Sequence, residues 1–302
     1  MATYTDTRLI TLSSDYAKKY NNGSMLSDVE YQFVGMLKDE LDIVRTDISV
    51  ISAELPVSFY NITTTNNTLV YGINGGSLIT ITIPVGNYNA NSLISYLNPL
   101  FLASNIVMSI SSITGKITLA FISGSGTIQY NLASTTGTIL GFIPKTSYSG
   151  ASLIPPYPMN LLGVKRISIC SDLLPVYVFT SVSAGLGNIL MTIDVDKPPF
   201  GLLLYKNLSN IRSKLRISRL DYFDIKIKDE FNNFIDFNNC SWTITLVMDI
   251  IRISKTTPSL ALDLNDLKPA LESPPSLDKI VKPIGEFDLL THQSENQGAL
   301  VP

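Results

Sequence analysis

The chain alternates apolar and polar residues through most of its length, and the alternation has the two-residue period of β-strands. In "MLSDVEYQFVGML" it places Val29, Tyr31 and Phe33 on one face. Ser27-x-x-Glu30 also fits a helical capping box there, but the alternation favours a strand. In "ELDIVRTDISVISAELP" it places Val44, Ile48 and Val50 together. From about residue 160 the same rhythm predicts strands in "GVKRISIC", "LPVYVFTS", "NILMTIDVD", "SKLRISRLDYFDIKIKD" and "SWTITLVMDIIRI". Pro, Gly or Asn separates these runs, the cadence of a sandwich or barrel.

Residues 63–155 differ. "TLVYGINGGSLITITIPVGNY" predicts a hairpin turning at Asn74-Gly75-Gly76, and "NIVMSISSITGKITLAFIS" another turning at Thr114-Gly115. Between them Leu93, Ile94, Leu97, Leu100 and Phe101 recur at helical spacing. A hairpin, helix, hairpin unit bounded by loops predicts a small inserted α+β domain. The expected organisation is an N-terminal arm (1–24), a discontinuous β-domain (25–62 and 156–257), the insertion (63–155) and a tail (258–302). The arm is polar and ends in "NNGS"; the tail holds six prolines and no sustained period.

Composition sharpens the picture. Hydrophobic residues make up 45% of the 302, enough for a sizeable core, and charged residues only 16%. Ser, Thr and Asn supply much of the polarity instead, and together with Val, Ile and Tyr they make the mix of half-buried pleated surfaces. A net charge of −3 argues against a general electrostatic grip on nucleic acid. Cys170 and Cys240 lie far apart without metal-ligand spacing, so reduced thiols are expected. The first twenty residues show no signal-peptide h-region, and no run approaches the length of a membrane span. The glycosylation-type triplets at Asn61, Asn66, Asn207 and Asn239 are then expected to be chance matches.

Candidate chemistry is sparse. The only histidine, His292, lies in the tail, so a Ser-His or Cys-His enzyme is not expected, and neither a His-based nor a Cys-based metal site has its ligands. The acids of "KDEFNNFID" (Asp229, Glu230 and Asp236) could be imagined as a metal or acid/base site. Their spacing matches no calcium loop and lacks its glycine, so they read as the turn of a hairpin. The chain reads as a non-enzyme with no catalytic, metal or cofactor residues. In "NIRSKLRIS", Arg212, Lys214 and Arg216 share one face; this is either a solvated strand face or an interface for an acidic partner. Tyr157 in "IPPYP", and Phe200 with Leu202 to Leu204 in "KPPFGLLLY", predict exposed apolar loops suited to a partner. Trp242, Phe237, Tyr31 and Phe33 are the candidate core aromatics, and Lys226 and Lys228 mark an outer strand face.

The order of these segments resembles a known family. "NGSMLSDVEYQF", "ISAELPVSFYNI", the I-x-I-P-x-G-x-Y-x-x-x-x-L run in "ITIPVGNYNANSLISYL", "TGKITLAF", "ILGF" and "FDIKIKDEFNNFIDFNNCSWTITLVM" are similar, in this order, to landmarks of the penton (minor capsid) proteins of virophages and related large DNA viruses. The match covers roughly residues 22–255, and the size and insertion look most like the mavirus-type virophage pentons. The resemblance implies an all-β, single jelly-roll β-sandwich with the small α+β insertion as an outward knob. It implies a homo-pentamer plugging the five-fold vertices of an icosahedral capsid, beside a double-jelly-roll major capsid protein. A virion location follows, with assembly inside the host cell and no cofactor, specific nucleic-acid contact or membrane insertion. The alternative is a host-attachment or glycan-binding β-sandwich module, with the Tyr- and Asn-rich insertion as the site for a host-surface receptor.

Overall fold

Eight principal strands wind between two facing antiparallel sheets. In the computed structural model these are β1 (Thr3–Ser13), β3 (Asp28–Leu37), β4 (Ile43–Pro56), β12 (Arg166–Cys170), β15 (Ile189–Asp194), β16 (Leu202–Lys206), β18 (Leu220–Lys228) and β19 (Thr243–Ile253). One sheet has the order β1-β19-β4-β16, with β17 (Ser213–Leu215) also on β4; the other has the order β15-β12-β18-β3, with β2 (Lys19–Tyr20) on its β3 edge. Numbered along the chain, the eight strands lie first-eighth-third-sixth in one sheet and second-seventh-fourth-fifth in the other. That winding is a jelly roll. The structure describes residues 2–37, 42–129, 135–143, 147–174, 178–179, 186–208, 211–215 and 220–254; all fall in one compact unit, and the expected tail lies outside them.

Both sheets feed one core. Ile10 and Leu12 of β1, Ile48 and Val50 of β4, and Ile244, Leu246, Met248 and Ile250 of β19 meet Val29 and Tyr31 of β3, Ile167 and Ile169 of β12, and Phe223, Ile225 and Ile227 of β18. The alternation is therefore physical: one face of every strand leaves water. It breaks in β4 at two bulges. Leu246 pairs with Val50 while Thr245 pairs with Ser52, leaving Ile51 as an extra residue. Even-numbered Ile48 and Val50 are buried before the bulge, and odd-numbered Ala53 and Leu55 after it. Val44 is the extra residue of the second bulge and is exposed, whereas its neighbour Ile43 packs on the core. The expected grouping of Val44 with Ile48 and Val50 is corrected accordingly.

Three further expectations change. Residues 1–24 are not an arm: β1 pairs with β19 over its full length, from Thr3↔Ile253 to Ser13↔Thr243. "SKLRISRLDYFDIKIKD" is not one strand, because β17 joins β4 and β18 joins β3 and β12 in the other sheet. "KPPFGLLLY" is only partly a loop, since Leu202–Lys206 form edge strand β16 with Leu203 buried on the inner face.

The insertion hangs between β4 and β12 on a core of its own. β5 (Thr68–Ile73) pairs with β6 (Ile79–Thr82) and β9 (Gly126–Gln129), and β10 (Ser147–Gly150) adds to β9. A second sheet holds β7 (Ile106–Ile110), β8 (Ile117–Phe121) and β11 (Ser152–Leu153). The turn after β5 has Asn74 and Gly75 at positive φ, with Gly76 N–H donating to Ile73 O at 2.7 Å, as a tight hairpin turn needs. Helix α1 (Ala90–Leu102) is capped by Asn89 and Ser92 in a reciprocal capping box and buries Leu93, Leu97 and Phe101. Leu100, expected on that face, is exposed. The short helix α2 (Gly137–Leu140) and Phe142 complete this core. A short pair, β13 (Val178–Phe179) with β14 (Leu186–Gly187), lies between β12 and β15.

Trp242, just before β19, ties the chain there to the turn that leads into β3 and to the end of β1. Its side chain is buried, its indole N–H donates to Leu26 O at 2.7 Å, and its backbone N–H donates to Ser14 Oγ at 3.0 Å. Phe237 is buried beside it in the core, edge-on to Phe59. Tyr31 stacks on Phe33, which packs on the core margin. Trp242→Ala is expected to cost about 3–5 kcal/mol, from lost burial plus the cavity left behind. Trp242→Phe is expected to cost less, about 1–3 kcal/mol, chiefly by orphaning the Leu26 carbonyl. Urea unfolding of both variants checks the order.

Candidate interaction surfaces

The "KDEFNNFID" stretch is a self-contained turn. Asp229 accepts from the backbone N–H groups of Phe231 and Asn233, both at 2.8 Å, and from the Asn233 amide at 3.1 Å. Asp236 accepts from Asn238 N–H at 2.8 Å. Asn232, Asn238 and Asn239 take positive φ, which Asn tolerates better than most residues. Glu230 accepts from the N–H groups of Lys165 and Arg166, which pins the turn to the start of β12. All three acids are thus occupied by nearby backbone. Among the described residues no group of three or more metal-ligating side chains exists. The two arms of the turn do pair: Lys228 bridges Phe234 antiparallel, and Ile235 N–H donates to Ile227 O at 3.2 Å. One correction follows: this pairing is brief and does not join β18 to β19. β18 and β19 belong to opposite sheets, and residues 229–242 cross between them.

One residue of the basic face, Arg212, is paired within its own sheet. Asp47 of β4 lies directly opposite Asp249 of β19, an unfavourable like-charge pair on adjacent strands. Arg212 forms an ion pair with Asp249, Arg45 bonds Asp47 at 2.8 Å, and Thr7 donates to Asp249 at 2.7 Å. Lys214 is exposed and sits opposite Asp47 in the ladder. Arg216 lies outside the described residues. Of the two readings of this face, the Arg212–Asp249 ion pair favours the solvated strand face for Arg212. On the other sheet, Lys226 is ion-paired with Asp172, whose carboxyl is held below its usual range mainly by that bond. Asp224 is buried and accepts from Ser171 Oγ at 2.8 Å and Asp172 N–H at 2.9 Å.

A cleft of about 770 Å³ opens where the insertion meets the sandwich. Its amides are already engaged. Asn61 donates to Tyr88 O at 2.7 Å and Leu161 O at 2.8 Å, and accepts from Tyr88 N–H at 2.9 Å. Asn87 accepts from Asn61 N–H and donates to Phe59 O. These bonds join the two strands of chain that enter and leave the insertion. They also leave the Asn61 side chain committed within the fold, so its sequence triplet marks a structural joint.

Phe200 is the most exposed aromatic on the rim of this cleft, at 79%. It sits at φ +67, a conformation costly for a bulky L-residue. Three bonds hold it there: Phe200 N–H to Val57 O at 2.8 Å, Val57 N–H to Gly201 O at 2.8 Å and Gly201 N–H to Pro198 O at 3.0 Å. Leu202 and Leu204 continue the exposed apolar row along β16. Tyr157 is also exposed, beside Ile143 and Leu162 where the chain leaves the insertion, with its N–H donating to Gly141 O at 3.1 Å. Sequence reasoning selected Phe200 and Tyr157 from their Pro-flanked settings. It missed Leu9, exposed on β1, because β1 was not read as a strand.

Two measurements test this description. Phe200→Gly removes the left-handed strain and little packing, so a stability gain of up to about 1 kcal/mol is expected in chemical unfolding. Cys170 is buried, and burial pushes its thiol up to about 11, whereas Cys240 is exposed. Alkylation of the native protein at pH 8 is expected to label Cys240 alone, read by peptide mass. The unfolded thiol ionises near pH 8.5. Cys170 therefore contributes stability that is intact below that pH and is lost as pH rises toward 11.

No protein-family model matches the chain, and no curated protein matches it either. Among solved structures it is similar to the selenomethionine-labelled mavirus penton protein, at 11% identity and a TM-score of 0.45, over 83% of this chain and 100% of that one. A likeness at that level carries no argument about function, and the jelly-roll assignment rests on the strand order alone.

Proposed function

We propose that this chain is a structural virion protein: a capsid-vertex (penton) protein that forms a pentamer and plugs the five-fold vertices of an icosahedral shell. The observation that carries the reading is the winding β1-β19-β4-β16 over β15-β12-β18-β3, with a separately cored insertion between β4 and β12. Jelly rolls of this kind build viral shells. The sandwich carries exposed apolar side chains at its edges and loops, where neighbours in a shell would cover them. The order of sequence landmarks supports the same assignment. On this reading the surrounding partner is a double-jelly-roll major capsid protein, the insertion forms the outward knob, and the protein acts without catalysis in the assembled virion.

The attachment alternative asks the insertion to hold a glycan or host receptor. Asn61 and Asn87 favour it little, because their amides are bonded to backbone. Native mass spectrometry of the full chain, alone and with the major capsid protein, tests the proposal. A five-copy assembly is expected, occupying the vertex in images of the particle. A monomer under both conditions, together with glycan-array binding, would replace the penton reading with the attachment one.

A further inference from the structure

We infer that, in such a ring, the β16 edge of one copy docks on the β1 edge of the next. The inference rests on the penton reading for its partner, a second copy of this chain, and goes beyond it by naming both surfaces.

Three observations lead there. First, β1 and β16 are outer strands on opposite sides of one sheet among the described residues, with β17 beside β16 on β4; β1 turns Asp6 and Arg8 inward, but its stretch from Leu9 to Ser13 carries no charge. β16 reads Leu-Leu-Leu-Tyr-Lys, an apolar edge without an internal proline or bulge. Second, every pairing from β1 through β19 and β4 to β16 is antiparallel, so the two edges run in opposite directions. A neighbour generated by rotation about an axis along the strands keeps its strand directions. Its β1 then meets β16 antiparallel, the commoner and slightly more stable geometry. The contact is head-to-tail and can close into a ring.

Third, the apolar area is of the right size and on the right face. Phe200, Leu202 and Leu204 are 79%, 48% and 65% exposed. Together they leave on the order of 400 Å² of largely apolar surface in water. A standard interface covers about 800 Å² per partner, a little over half of it apolar. On the opposite edge Leu9 is 69% exposed. The ladder register Leu204↔Glu54↔Thr243↔Ser13 puts Leu204 on the same outer face as the odd-numbered residues of β1, Leu9 among them.

Full-length protein tests this. Leu202→Glu/Leu204→Glu alters only exposed side chains, so an unchanged melting temperature and a loss of the assembly seen for the unaltered protein are expected. In a Cys240→Ser background, Leu9→Cys chains mixed with Leu204→Cys chains are expected to cross-link with a short bismaleimide. Neither variant alone should do so efficiently. Self-cross-linking of Leu204→Cys would mean a two-fold β16 contact and overturn the inference. Rings that persist in the double glutamate variant would overturn it while leaving the penton reading standing. If the unaltered chain stays monomeric even beside the major capsid protein, both fall.

Discussion

The pairing of β19 with β1 on one side and β4 on the other is the constraint on which the rest of this structure depends. It joins the last principal strand to the first and third across most of the described chain, from Thr243↔Glu54 to Thr3↔Ile253. Until it forms, this sheet has no complete inner face to set against the other. Ile244, Leu246, Met248 and Ile250 of β19 are the middle of the shared core, and Trp242 at its start bonds across to Leu26. Such long-range pairing implies slow folding relative to helical proteins of similar stability.

This closure also explains how an insertion of about a hundred residues is tolerated. The insertion leaves after β4 and returns before β12, and its two ends are bonded to each other through Asn61, Tyr88 and Leu161. With the ends held together, the sandwich meets the insertion as a single loop. The insertion in turn buries Leu93, Leu97, Phe101 and Phe142 among its own strands, so it takes nothing from the sandwich core. A loop that closes and packs itself adds little entropic burden to its host.

The surfaces follow the same logic of local compensation. Asp47 and Asp249 repel, and Arg45 and Arg212 offset them from above. Asp224 is buried with bonds to Ser171 and Asp172. These charges are offset within the protomer, while exposed apolar side chains stand open to a partner: Phe200, Leu202 and Leu204 on one edge, Leu9 on the other, Tyr157 just after the insertion. The strained Phe200 is held by bonds from Val57, just after β4, and from its own loop, so its exposure is built into the backbone.

Much of this was legible from residue order. Strands β7, β8, β18 and β19, helix α1 and the Asn74-Gly75 turn follow from periodicity and turn chemistry, because each needs only its own neighbours and one buried face. The turn role of Asp229 and Asp236 was legible for the same reason. What tertiary structure alone decided was every relation between distant segments. β1 looked like an arm because only Ile10 and Leu12 of its inner face reach the core, while Asp6 and Arg8 on that face form an ion pair. β4 changes its buried face at Ile51, because register with β19 admits an extra residue that no local pattern announces. Arg212 looked available until Asp249, on a strand more than thirty residues away, was placed beneath it. Periodicity is a property of one strand and its own solvent exposure; partner, register and edge belong to pairs of strands, and only the folded sheets bring those pairs together.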